Sequence, residues 1–128
     1  MMAKLFRRAA FTAVVIVFGY FNSASAQDLI ISELMAVNNG TIEDEDGNTP
    51  DWIELFNAGN STQNLSGYYL SDDPLVPEKW RFPSVSIAPG GFLVVFASDK
   101  DRRDAGSELH TNFKLSSSGE FLGLFASD

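Results

Sequence analysis

From Gln27 to Asp128 no window of eleven residues places apolar side chains at helical spacing, so a helical core is excluded. What recurs is short β-rich runs closed by Gly, Pro, Asn, Asp and Ser. Leu29–Met35 is the first strand, ended by Asn38-Asn39-Gly40. In Trp52–Phe56 the residues Trp52, Glu54 and Phe56 point one way, and Ile53 and Leu55 the other. Leu65–Leu70 and Lys79–Phe82 follow, with Trp80 and Phe82 on one side of the latter and Lys79 and Arg81 on the other. Ile87–Gly91 reads as a turn, because Pro89 presets φ and Gly90 and Gly91 allow positive φ. Phe92–Ala97 is apolar on both faces and is expected to be a central strand; Phe121–Phe125 is the last. Six or seven strands at spacings of about 8–14 residues predict an all-β fold, an antiparallel β-sandwich.

The first 26 residues are set apart from that pattern. Lys4, Arg7 and Arg8 form a basic start, Ala9–Phe21 is apolar, and Ala24 and Ala26 hold the small-residue positions before Gln27. This is the layout of a secretory signal peptide over residues 1–26, which leaves 27–128 as the folded domain. The apolar run is shorter than the ~20 residues a membrane span needs, so no span is expected after cleavage. Export places the protein outside the cell or at its surface, and with no cysteine the core alone must hold the fold. Those three cations are the only charges in the leader, so residues 27–128 hold 6 basic and 17 acidic groups, a net of −11. Such a surface repels phosphate backbones and argues against nucleic acid as a partner.

Several ordered segments resemble the lamin tail domain of the bacterial secreted type. They begin with Asp44-Glu45-Asp46-Gly47, which runs into Asp51–Asn57, and continue through Leu65–Asp73 and Lys79–Pro83. Pro89–Ala97, Glu108–Leu115 and Gly119–Leu122 complete the series. The resemblance covers about Leu29 to Phe125. It implies an immunoglobulin-like β-sandwich without catalysis of its own, of a kind that accompanies other modules and helps attach them. It also implies closing strands after the segment at Phe121–Phe125, so the chain is expected to be part of a longer reading frame.

Three constellations bear on chemistry. Asp44, Asp46 and Asn48, followed by Asp51, have the alternation of a calcium loop, where the ion takes about 6–8 oxygens. Gly47 stands three residues after Asp44 rather than five, and no Glu lies at the twelfth position, which excludes an EF-hand. A solvated acidic loop, paired with the bases of Lys100–Asp104 and holding no metal, is the preferred reading. His110 is the only imidazole, no G-x-S-x-G elbow is present, and no catalytic residue is assigned. Among the aromatics Trp52, Tyr68 and Trp80 are the candidates for an outward binding face, against the plainer reading that they pack inside.

The sequence therefore points to a non-catalytic exported attachment module in a larger extracellular protein, with a protein or cell-surface component as partner and no cofactor. The competing readings are an accessory domain of an extracellular hydrolase or spore-coat-kinase-like protein, and a carbohydrate-binding domain.

Overall fold

The computed structural model describes Asp28–Ala126. The export signal expected over residues 1–26 lies outside that range. Nine strands follow in order: β1 Leu29–Met35, β2 Asp51–Asn57, β3 Gln63–Asn64, β4 Tyr68–Ser71, β5 Trp80–Arg81, β6 Ser86–Ile87, β7 Phe92–Ala97, β8 Leu109–His110 and β9 Gly123–Ala126. They form a four-stranded sheet β1-β2-β7-β8, a three-stranded sheet β5-β4-β9 and the pair β3-β6. No helix occurs among the described residues, and none is long and apolar enough to cross a membrane. The arrangement is an immunoglobulin-like β-sandwich.

Register decides which side chains meet. On the inner face of the large sheet, Leu34, Ile53, Val95 and Leu109 line up across all four strands. Ile31, Leu55 and Leu93 form the next inner row. These rows close on Leu70, Trp80 and Leu124 of the smaller sheet, with Leu65, Phe82, Ile87, Phe113 and Leu122 filling the rest of the core. Trp80 is fully buried and meets Phe82 edge-on, their ring centres 4.9 Å apart.

The outer face of the same sheet is also apolar, and its two ends differ. At one end the row Met35, Trp52, Phe96 and His110 crosses all four strands and is largely sealed. At the other end Ile30, Phe56 and Phe92 lie side by side, with Ile30 43% and Phe92 60% exposed.

Three local departures from the strand pattern have physical causes. The strand expected from Leu65 starts at Tyr68, because Gly67 at φ +91° completes a turn in which Tyr68 N–H donates to the Leu65 carbonyl at 2.9 Å. The two-residue strands β3, β6 and β8 carry too few residues for a periodic signal, and β8 joins β7 in parallel while every other strand pair is antiparallel. Finally, Phe92 of the central strand β7 faces solvent. Strand β9 pairs with β4 alone among the described strands and so forms a sheet edge.

The two faces should answer differently to truncation. Leu55→Ala is expected to lower the unfolding free energy by about 2–5 kcal/mol, as buried leucines do. Ile30→Ala on the outer face should change it by only about 0.5 kcal/mol, as surface substitutions do. Urea unfolding of both variants measures this, and equal losses would contradict the assignment of the faces.

Candidate functional site

The sealed end of the outer face owes its cover to the loop between β1 and β2, residues 36–50. Asn38 anchors that loop with every amide group in use. Its Nδ2 donates to the carbonyls of Ile42 at 2.7 Å and Pro50 at 2.9 Å, while Oδ1 accepts the N–H groups of Gly40 and Thr41. The loop then reaches both ends of the apolar row. Thr41 Oγ1 lies 3.5 Å from Met35 Sδ, and the Glu45 carboxylate accepts from His110 Nε2 at 2.9 Å.

Asp44 organises the tip. Its Oδ1 accepts the N–H groups of Asp46 at 3.1 Å and Asn48 at 2.9 Å, closing a turn in which Gly47 takes φ +73°. Its Oδ2 is held by Lys100 Nζ. Lys100 also reaches Asp46 Oδ2 at 2.7 Å, and Arg102 pairs with Glu45 and, through Nη2 at 2.7 Å, with Asp46. The segment after β7 presents both cations to the loop because Asp99 and Asp101 adopt φ of 65° and 51°, a left-handed conformation that aspartate tolerates better than most residues. Asp101 turns the other way, accepting from Trp80 Nε1 at 3.1 Å and from Arg103 Nε at 2.7 Å.

His110 sits beneath this charged lid with no exposed surface. Its ring stacks on Phe96 at 5.3 Å between centres, and its Nδ1 lies 2.8 Å from Ser98 Oγ. With Nε2–H donating to Glu45, Nδ1 accepts from the serine hydroxyl. Glu108, immediately before β8, accepts the Glu45 N–H at 2.7 Å, so two carboxylates and the imidazole converge; their donor atoms lie within 4.8 Å of one another.

The order Ser98, His110, Glu45 is that of nucleophile, base and acid. A ring without exposed surface cannot reach a leaving group, and Ser98 Oγ also accepts the Lys100 N–H at 3.3 Å. Ser98 borders an open depression of about 360 Å³, together with Asn48, Pro50, Asp51, Lys100 and Lys114.

Charge on the cluster is unequally shared. Hydrogen bonding with the Glu108 carboxyl, then with His110 and Arg102, holds Glu45 well below the usual carboxylate range. The same contact with Glu45, with burial added, pushes Glu108 up. Burial would raise Asp44, yet Lys100 and the backbone N–H groups of Asn48 and Asp46 outweigh it and bring it down. Lys100 and then Arg102 lower Asp46, while burial raises Asp51 despite Lys114 nearby.

The residues singled out in the sequence are thus dispersed. Asp44 and Asp46 meet in the loop, but their inner oxygens are engaged by Lys100 and Arg102. Asn48 contributes backbone groups to the turn, and Asp51 begins β2 at the rim of the depression. Trp52 lies under the loop, Tyr68 is half-buried against the core, and Trp80 offers no surface to a ligand. Sequence reasoning missed Ser98, Glu45 and Glu108 as partners of His110, and missed Phe92. The one usable signal was that His110 is the single histidine of the sequence.

Residues 22–128 match the family model of the lamin tail domain, and no curated protein and no solved structure matches the chain. The match covers well over half of the sequence, so the chain belongs to the lamin tail domain family.

Two outcomes are expected. Asp44 and Asp46 titrate below their ordinary 3.8 in the fold, so the stability they give is present above pH 3.8 and is lost as pH falls through their lowered values. Glu108 and Asp51 titrate above their ordinary values, so their ionised forms oppose folding near neutrality and that opposition is relieved on mild acidification. Stability by urea unfolding should therefore hold or rise slightly toward pH 5, then fall steeply below pH 4. Asp44→Asn should be less stable at pH 7 and show a shallower acid limb; an unchanged limb would remove Asp44 from this account. Millimolar Ca²⁺ should leave the melting midpoint within about 1 °C. A site with Kd ~10⁻⁴ M would add about 1.4 kcal/mol at 1 mM ion. In a domain of this size that would raise the midpoint by roughly 4–8 °C.

Proposed function

We propose that this chain, as a member of the lamin tail domain family, is an exported attachment module with no catalysis of its own, which docks a larger extracellular protein onto a partner protein at the cell surface. The family is one of immunoglobulin-like interaction and structural domains, and it is not enzymatic. The basic, apolar and small-residue layout of residues 1–26 supports export. The acidic balance of residues 27–128 supports a protein partner over a nucleic acid.

The observation that carries the reading is the open row Ile30, Phe56 and Phe92 on the outer sheet face. Phe56 and Phe92 pack at a tilt of 31° with ring centres 4.7 Å apart, and the row sits on the best-paired of the described strands. A rigid, apolar, aromatic patch bordered by Ser32 and Glu54 has the make-up of an interface centre with a polar rim. Carbohydrate binding draws no comparable support, since Trp80 is inside the core and Trp52 is covered.

The test is retention. Cells making the exported protein should hold it at the surface, and Phe92→Asp should release several-fold more into the medium. Its melting midpoint should stay within about 2 °C, because substitutions at exposed positions rarely exceed 0.5 kcal/mol. Equal retention of the two proteins, both folded, would defeat the docking role of this row.

A further inference from the structure

We propose that His110, Glu45 and Glu108 form a binding site for a divalent transition ion of the Zn²⁺ class, with its remaining coordination position open to solvent.

The donor set is the first reason. One imidazole nitrogen and two carboxylate oxygens come within 4.8 Å of one another. Closing on a single ion at zinc's distances of about 2.0–2.2 Å draws these atoms closer together, a movement that falls to Glu45 and Glu108 on the exposed side of the cluster. Imidazole favours Zn²⁺ and its neighbours over Ca²⁺, which prefers an all-oxygen shell.

The second reason is the support behind the histidine. Its ring is fully buried and stacked on Phe96, and Ser98 Oγ faces Nδ1 at 2.8 Å. A serine hydroxyl can donate or accept. It therefore serves the Nε2–H tautomer that bonds Glu45, and equally the Nδ1–H tautomer that would aim a lone pair from Nε2 at a metal. A ligating histidine held at its other nitrogen is the usual arrangement at metal sites.

The third reason is charge. Asp44, Glu45, Asp46 and Glu108 face only Lys100 and Arg102, which leaves two negative charges when all four carboxylates are ionised. Arg102 keeps its Asp46 contact if Glu45 turns toward an ion. A divalent cation balances the cluster and separates Glu45 from Glu108. Ion binding at Nε2 puts the neutral ring's single proton on Nδ1, where Ser98 Oγ at 2.8 Å accepts it.

Calorimetric titration of the protein with ZnCl₂ at pH 7 tests the site, with CaCl₂ in parallel. One Zn²⁺ per chain is expected, at least tenfold tighter than Ca²⁺, and Co²⁺ in its place should give the visible absorption of a nitrogen-ligated, low-coordinate complex. Glu108→Gln preserves the acceptor for the Glu45 N–H and should weaken Zn²⁺ at least tenfold in a protein that still melts cooperatively. His110→Gln should abolish the Co²⁺ absorption. The proposal is overturned by the absence of saturable Zn²⁺ binding up to 1 mM, by unchanged affinity in folded Glu108→Gln, or by Ca²⁺ binding as tightly as Zn²⁺.

Discussion

The antiparallel register of β2 on β7 is the constraint from which the rest of the molecule follows. Six consecutive residue pairs, Asp51–Ala97 through Phe56–Phe92, lock the two strands together. Both strands are apolar on two faces, so the sheet they form cannot be satisfied by a single core. The inner face finds Leu70, Trp80 and Leu124 of the smaller sheet. Among the described residues no second sheet covers the outer face, and a loop serves instead. The loop between β1 and β2 does so at one end only, because Asn38 and the Asp44 turn draw it across Met35, Trp52 and Phe96 to His110.

Covering an apolar row with an acidic loop brings a second requirement. Burying a carboxylate is unfavourable unless it is paired and hydrogen-bonded. Asp44, the innermost acid, meets this with two backbone N–H groups and Lys100. The exposed pairs of Arg102 contribute little individually to stability. Their effect is to fix which carboxylate faces His110. The left-handed residues Asp99 and Asp101 let one short segment serve two customers: Lys100 and Arg102 face the loop, while Asp101 completes the hydrogen bonding of the buried Trp80 indole.

Periodicity made the long strands legible in the sequence. Alternation put Ile53 and Leu55 on one face of Trp52–Phe56, the face that is buried in the core, and Trp80 and Phe82 on one side of Lys79–Phe82, with Arg81 on the other. The acidic loop's pairing with the Lys100–Asp104 bases followed from charge alone. What could not be read depends on contacts far apart in the chain. Glu45 and His110 are separated by 65 residues, and only the β7–β8 register places His110 beside Phe96. Phe92 was misjudged because a doubly apolar strand implies two covered faces, whereas the cover here stops short of its first residue. The two-residue strands were invisible for lack of length. Gly67 could have warned of the late start of β4, since a glycine at positive φ interrupts a strand.

The division of the outer face has a functional consequence. At the sealed end Trp52 is only 6% exposed. At the other end the loop stops short, leaving Phe92 60% exposed beside the half-buried Phe56, both held in the six-pair register of β2 and β7. Rigid exposed aromatics are poor choices for solubility and good ones for association, because little conformational entropy is lost when they are covered. The sealed end positions polar groups with fixed geometry, and the open end offers apolar area with fixed shape. One four-stranded sheet thus presents two distinct chemistries about one strand length apart, with Glu54 and Val94 between them.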